Sequence, residues 1–101
     1  MSFPIGGTPE CEFKIPFTEA EISDFIVSFS QKGKVIVRKR KEDCIVKDNH
    51  ITVPFSQEES LDFDYNSIIE MQIKVKVSNG KVRPSNIMRT TPERCIDKEV
   101  V

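Results

Sequence analysis

In Ile69-Glu70-Met71-Gln72-Ile73-Lys74-Val75-Lys76-Val77, an apolar side chain takes every second position and polar or charged ones fill the gaps. A strand sends successive side chains to opposite faces, so this run predicts a half-buried strand with one face on a core and the other on water. Directly after it, Asn79-Gly80 separates the run from Lys81 and Val82. Asn-Gly between two such runs predicts a type I′ hairpin turn, whose two central residues both need positive φ, with a second strand over 81–91.

The same alternation recurs upstream. Cys11, Phe13, Ile15 and Phe17 alternate with Glu10, Glu12, Lys14 and Pro16, and Phe25, Val27 and Phe29 alternate with Ile26, Ser28 and Ser30. Gln31-Lys32-Gly33-Lys34 supplies a turn before Val35-Ile36-Val37, and Asp48-Asn49 divides a short strand at 44–47 from Ile51-Thr52-Val53. Thr18 to Glu21 and Ser56 to Glu59 carry the hydroxyl-to-glutamate spacing of a helix capping box, which predicts one helical turn at each. Pro16, Pro54 and Pro84 mark strand ends or edges, because a central ladder does not tolerate the missing N–H.

About seven short strands without a crossover helix predict an all-β fold. The expected form is an immunoglobulin-like antiparallel β-sandwich, with a small β-barrel as the alternative. One domain spans 1–101, with loosely ordered ends at 1–9 and 92–101.

Composition narrows the function. Fifteen basic residues against sixteen acidic ones leave a net charge of -1, without the positive excess that displaces counterions from phosphates, so no nucleic-acid partner is expected. Apolar stretches are too short to cross a bilayer and Met1 to Glu10 has no signal-peptide pattern, so the expectation is synthesis in the cytoplasm with no membrane partner. Cys11, Cys44 and Cys95 are far apart and His50 is the sole histidine, which gives no local ligand cluster: no metal and no cofactor are expected. An odd count of cysteines also argues against a disulfide framework.

Four features invite chemistry, and each has a plainer explanation. Arg38-Lys39-Arg40-Lys41 is a basic run, but a strand divides it between two faces and Glu42-Asp43 offsets half of it. His50 lies in a turn with no nucleophile elbow anywhere in the chain. Gly6-Gly7 is the sole glycine pair, too little for a phosphate loop. Arg94 beside Cys95 would activate a thiolate only if it were held against the sulfur. No catalytic residue is named, the chain is not read as an enzyme, and a small-molecule ligand is not expected.

Gly7-Thr8-Pro9, Phe13 to Phe17, Val27 to Gln31, Asp43-Cys44, Ile51-Thr52-Val53, Ser56 to Phe63, Met71 to Val75 and Ser85-Asn86-Ile87 have, in this order, a familiar look. Together they resemble a group of small proteins of roughly this length encoded among the structural genes of prophages in gut Firmicutes. The resemblance covers the chain to about Thr91 and consists of strands and turns. It implies an immunoglobulin-like sandwich distantly similar to the amino-terminal domain of siphophage upper baseplate proteins. It further implies a virion- or tail-associated structural module whose partners are other phage structural proteins and copies of itself. On that footing Cys95 to Val101 is a candidate docking strand. A carbohydrate- or receptor-binding module is the rival, weakened by the absence of Trp and a single tyrosine, Tyr65.

Overall fold

A computed structural model describes residues 2–101. Nine strands form in chain order: β1 (Ser2–Pro4), β2 (Glu10–Lys14), β3 (Ile22–Gln31), β4 (Lys34–Arg40), β5 (Ile45–Lys47), β6 (His50–Pro54), β7 (Ile69–Val77), β8 (Val82–Pro84) and β9 (Met88–Glu93). They make a larger sheet of order β1-β9-β7-β3-β4, with β8 on β7, and a smaller sheet of order β2-β6-β5. The two sheets do not close into a barrel; they form a β-sandwich. The orders β2-β6-β5 and β9-β7-β3-β4 correspond to the B-E-D and G-F-C-C′ strands of an immunoglobulin variable-type domain.

The period-two pattern sets the faces. Along β7, Ile69, Met71, Ile73 and Val75 are buried, and along β3 the inward set is Phe25, Val27 and Phe29. Cys11 and Phe13 of β2 and Ile51 and Val53 of β6 meet them from the smaller sheet. Edge-to-face ring contacts tie the layers: Phe29 to Phe55 at 4.8 Å, Phe55 to Phe3 at 5.1 Å and Phe3 to Phe63 at 4.9 Å between centroids. β7 has no cysteine and all three cysteines are free, so no disulfide joins the sheets.

The Ser56 capping box forms in full, and the Thr18 one only on its glutamate side. Ser56 Oγ accepts the Glu59 N–H while Glu59 Oε1 accepts the Ser56 N–H, opening α1 (Gln57–Leu61). At Glu19–Glu21 the glutamate carboxylate returns to the Thr18 N–H and the turn is a single 3₁₀ turn.

The turns correct the sequence reading. Gly80 has φ 86°, but Asn79 does not have positive φ; the Gly80 N–H meets the Val77 carbonyl and the Val77 N–H meets that of Lys81. That is a three-residue loop closed by a glycine bulge, and no type I′ turn. Paired positive φ occurs instead at Lys32-Gly33 (52° and 77°) and at Asp48-Asn49 (52° and 62°), each a two-residue link between adjacent strands. The strand expected over 81–91 is also broken: Ser85 bonds both the N–H and the carbonyl of Ile73, and Ser85 to Ile87 separate β8 from β9.

The ends differ too. Residues 1–9 and 92–101 were expected to be loose, yet β1 pairs in parallel with β9 from Ser2↔Thr91 to Pro4↔Glu93. Phe3 is fully buried, which supplies the apolar anchor that holds so short a strand. The fully buried Ser60 of α1 accepts the Gly6 N–H and donates to the Gly7 carbonyl, and Gln57 Nε2 donates to the Gly6 carbonyl. Beyond β9 the chain carries no strand, but the Val101 N–H reaches Gln57 Oε1.

Because Phe3 belongs to the ring cluster, Phe3→Ala is expected to lower the unfolding free energy by about 3 to 5 kcal/mol in urea titration. A neutral effect would mean that β1 does not pack as described.

Candidate interaction surface

The outward face of the larger sheet follows from the register that buries its inner one. Across the strands, Ile26 of β3 lies between Arg40 of β4 and Lys74 of β7, Ser28 between Arg38 and Gln72, and Ser30 between Val35 and Glu70. Two short serines at the centre of a sheet whose neighbours carry long side chains leave a depression. It is a groove of about 310 Å³, lined among others by Ser28, Ser30, Val35, Arg38, Lys74 and Ile87. Val35 and Ile87 are exposed apolar residues on its walls. Arg89 pairs with Glu70 at 3.2 Å, so Arg38, Arg40 and Lys74 leave the face basic on a chain that is slightly acidic as a whole. Chemically the groove offers hydroxyls, apolar walls and a cationic rim.

A second opening follows the outer edge of β2 and the residues after it, where crevices of about 360 Å³ beside β2 and 280 Å³ beside Pro16 and Phe17 lie against the larger sheet. Phe13, Ile15, Ile73 and Met88 line the larger of these. Among the described residues β2 pairs with β6 on one side and with no other strand, and β4 pairs only with β3.

The structure disperses the residues singled out in the sequence. Of the basic run, Lys39 turns inward: it is buried, its ammonium 2.8 Å from Glu59 Oε1 and 5.1 Å from the centre of the Phe55 ring. Lys41 donates to the Ile22 carbonyl, and Arg38 and Arg40 face outward. The division between two faces predicted from strand geometry is therefore what forms, and the run makes no continuous phosphate site. His50 Nδ1 lies 2.8 Å from the Asp48 carbonyl and Nε2 lies 3.7 Å from Glu12, a turn contact between strands. The Gly6 and Gly7 backbones are taken up by α1.

Arg94 is not held on Cys95. Its guanidinium lies over the Tyr65 ring at 5.4 Å, and Cys95 Sγ donates to the Asp97 carbonyl. Burial pushes the Cys11 thiol up to about 11 and, with Asp43 adding to it, the Cys44 thiol likewise to about 11. Among the described residues no group of three His, Cys, Asp or Glu is placed to hold a metal ion, and no helix is long and apolar enough to cross a membrane.

Sequence reasoning missed the groove and the burial of Lys39 against Glu59. The groove had a signal, Ser28 and Ser30 at alternate positions of a long strand, but its depth depends on which residues flank them. Comparison with protein families, curated proteins and solved structures finds no significant match.

Two expectations follow from these geometries. Burial works against the Glu59 carboxylate, but hydrogen bonds from Lys39 and Ser56 outweigh it and hold the carboxyl below its usual value of 4.5. A carboxyl lowered on folding contributes stability above its unfolded pKa, and that contribution is lost as pH falls through the folded one. Stability should therefore drop in acid below about pH 4.5, and Lys39→Met should reduce this drop. Glu59→Ala should cost more than Lys39→Met, roughly 2 to 3 kcal/mol in urea at pH 7, because it leaves the buried ammonium without its carboxylate. Equal costs would count against the pair. At pH 8, thiols with pKa near 11 are ionised to about one part in a thousand. Cys11 and Cys44 should thus resist iodoacetamide in the folded protein and react after denaturation, as read by mass spectrometry.

Proposed function

We propose that the chain is a structural or assembly module of phage type, virion- or tail-associated, acting through protein–protein contacts. The observation that carries this reading is the outer face of the larger sheet, where a groove with apolar walls, serine hydroxyls and a basic rim suits an acidic polypeptide segment. Groove and core share β3 and β7, so the face is built on the strands that also carry the core. The segments from Gly7 to Ile87 that resemble prophage structural proteins supply the biological setting.

A carbohydrate- or receptor-binding module is the competing function. Sugar recognition commonly stacks a pyranose on an open aromatic ring. Tyr65 is the exposed ring among the described residues, and Arg94 already lies over it.

Mass spectrometry of purified phage particles and of their assembly intermediates from the native host tests the first reading. The chain is expected at a stoichiometry comparable to the other structural proteins. Its absence from both, together with saturable binding to one class of sugar on a glycan array, would replace the assembly module with the binding module.

A further inference from the structure

β4 and β2 are the two strands of the sandwich whose composition makes them complementary edges. β4 ends the larger sheet and β2 ends the smaller one. They lie on opposite flanks: β2 runs beside Ile73, Ser85 and Met88, whereas β4 lies beyond β3 on the far side.

The backbone of each edge is turned outward at known residues. In an antiparallel ladder, alternate residues direct their N–H and carbonyl toward the partner strand. The Phe55 N–H meets the Pro9 carbonyl and the Ile15 N–H meets that of Asn49, so the odd-numbered residues of β2 face β6. Glu10, Glu12 and Lys14 therefore present theirs to the open side. On β4 the Arg40 N–H meets Asp43 Oδ2 outside the ladder, so Arg40, and Arg38 two residues before it, face away from β3.

The side chains at these outward positions are Glu10, Glu12 and Lys14 on one edge and Arg38 and Arg40 on the other, all exposed, with Glu10 and Glu12 at the same spacing of two as the arginines. An antiparallel pairing of Glu12 with Arg38 and Glu10 with Arg40 joins outward backbone to outward backbone, with the Arg40 N–H exchanging Asp43 Oδ2 for the Glu10 carbonyl, and places each carboxylate beside a guanidinium on one face. Pairing β4 with β4 would set arginine against arginine, whereas pairing β2 with β2 about Glu12 would set Glu12 against Glu12 but Glu10 against Lys14. Like charges directly opposite oppose the β4 dimer and the centre of the β2 dimer, and the β4–β2 contact is the pairing in which Glu10, Glu12, Arg38 and Arg40 all meet an opposite charge.

We propose that β4 of one copy adds to β2 of a second copy, extending the larger sheet of the first into the smaller sheet of the second. Such a head-to-tail contact uses different surfaces on the two partners, so it repeats into a ring or a filament. The inference rests on the reading of the chain as an assembly module and names one partner for it.

Size exclusion with light scattering over increasing protein concentration is the test. The wild type should exceed the 11.6 kDa monomer mass as concentration rises, and less so in high salt. Arg38→Glu with Arg40→Glu makes both edges acidic, and Glu10→Arg with Glu12→Arg makes both basic; each double variant should remain monomeric. An equimolar mixture of the two should assemble again, because the acidic β4 of the first meets the basic β2 of the second and the native pairing survives in the other direction. That recovery also excludes misfolding as the cause of dissociation.

A wild-type monomer throughout would overturn the inference and make these charges guards against edge pairing. Wild-type assemblies that persist in both double variants would also overturn it, while leaving the assembly-module reading in place. Variants that dissociate but do not recover on mixing would show that the two edges do not meet.

Discussion

Phe55 is the side chain on which the rest of the structure depends. It follows β6, yet its ring stands edge-on to Phe3 of β1 and Phe29 of β3, 6.2 Å from Phe63, and under the Lys39 ammonium of β4. Both sheets and the first strand of the chain thus converge on one ring. In immunoglobulin domains of antibodies an inter-sheet disulfide and a tryptophan occupy the centre of the sandwich. Here Cys11 is buried and unpaired, and aromatic packing replaces that covalent link. The apolar payload of several buried phenylalanines gives a 101-residue chain a core of adequate size without a cross-link.

The buried charge of Lys39 belongs to the same arrangement. A lysine on the inner face of a sheet would ordinarily be excluded by its desolvation cost. The Glu59 carboxylate that closes the α1 capping box also receives this ammonium, so one side chain both starts the helix and neutralises the cation. α1 in turn holds the Gly6-Gly7 backbone through Ser60, and that loop leads from Phe3. Capping, charge pairing and the tethering of β1 are consequently coupled, and apart from the cap itself the contacts join residues far apart in sequence.

That non-local character explains how much of the fold was legible in advance. Alternation in Ile69 to Val77 and in Phe25 to Phe29 is local information, and it located the central strands and their buried faces correctly. Ser56 and Glu59 are three residues apart, so the helical turn was equally readable. The short strand at Ser2–Pro4 was not, because three residues carry no period and their order comes from Phe3 entering a core formed by distant segments. The turn at Asn79-Gly80 misled for a related reason. Asn79 Oδ1 accepts the Lys81 N–H, a local bond that suits the three-residue bulged loop, whereas the type I′ geometry went to Lys32-Gly33, where a lysine occupies a left-handed conformation. There the buried Gln31 bonds Asp64 and Ser67 and fixes the strand end. Tertiary anchoring of the flanking residue outweighed the residue preference of the turn.

The candidate surface was less legible than the core because it depends on register. Ser28 and Ser30 are small residues in any reading, but they make a groove only because Arg38 and Val35 lie on one side and Gln72 and Glu70 on the other. The bulge between Phe29 and Ser30 is decisive: it shifts β4 by one residue, so that Val35 joins the outer row with Ser30 while Val37 turns inward opposite Phe29. Without it the strict alternation of β4 would put Val35 and Val37 on the same face. The bulge therefore splits one apolar run between two tasks, core packing at Val37 and an exposed apolar wall at Val35. A single irregularity in the ladder thereby connects the packing of the interior to the chemistry of the outer face.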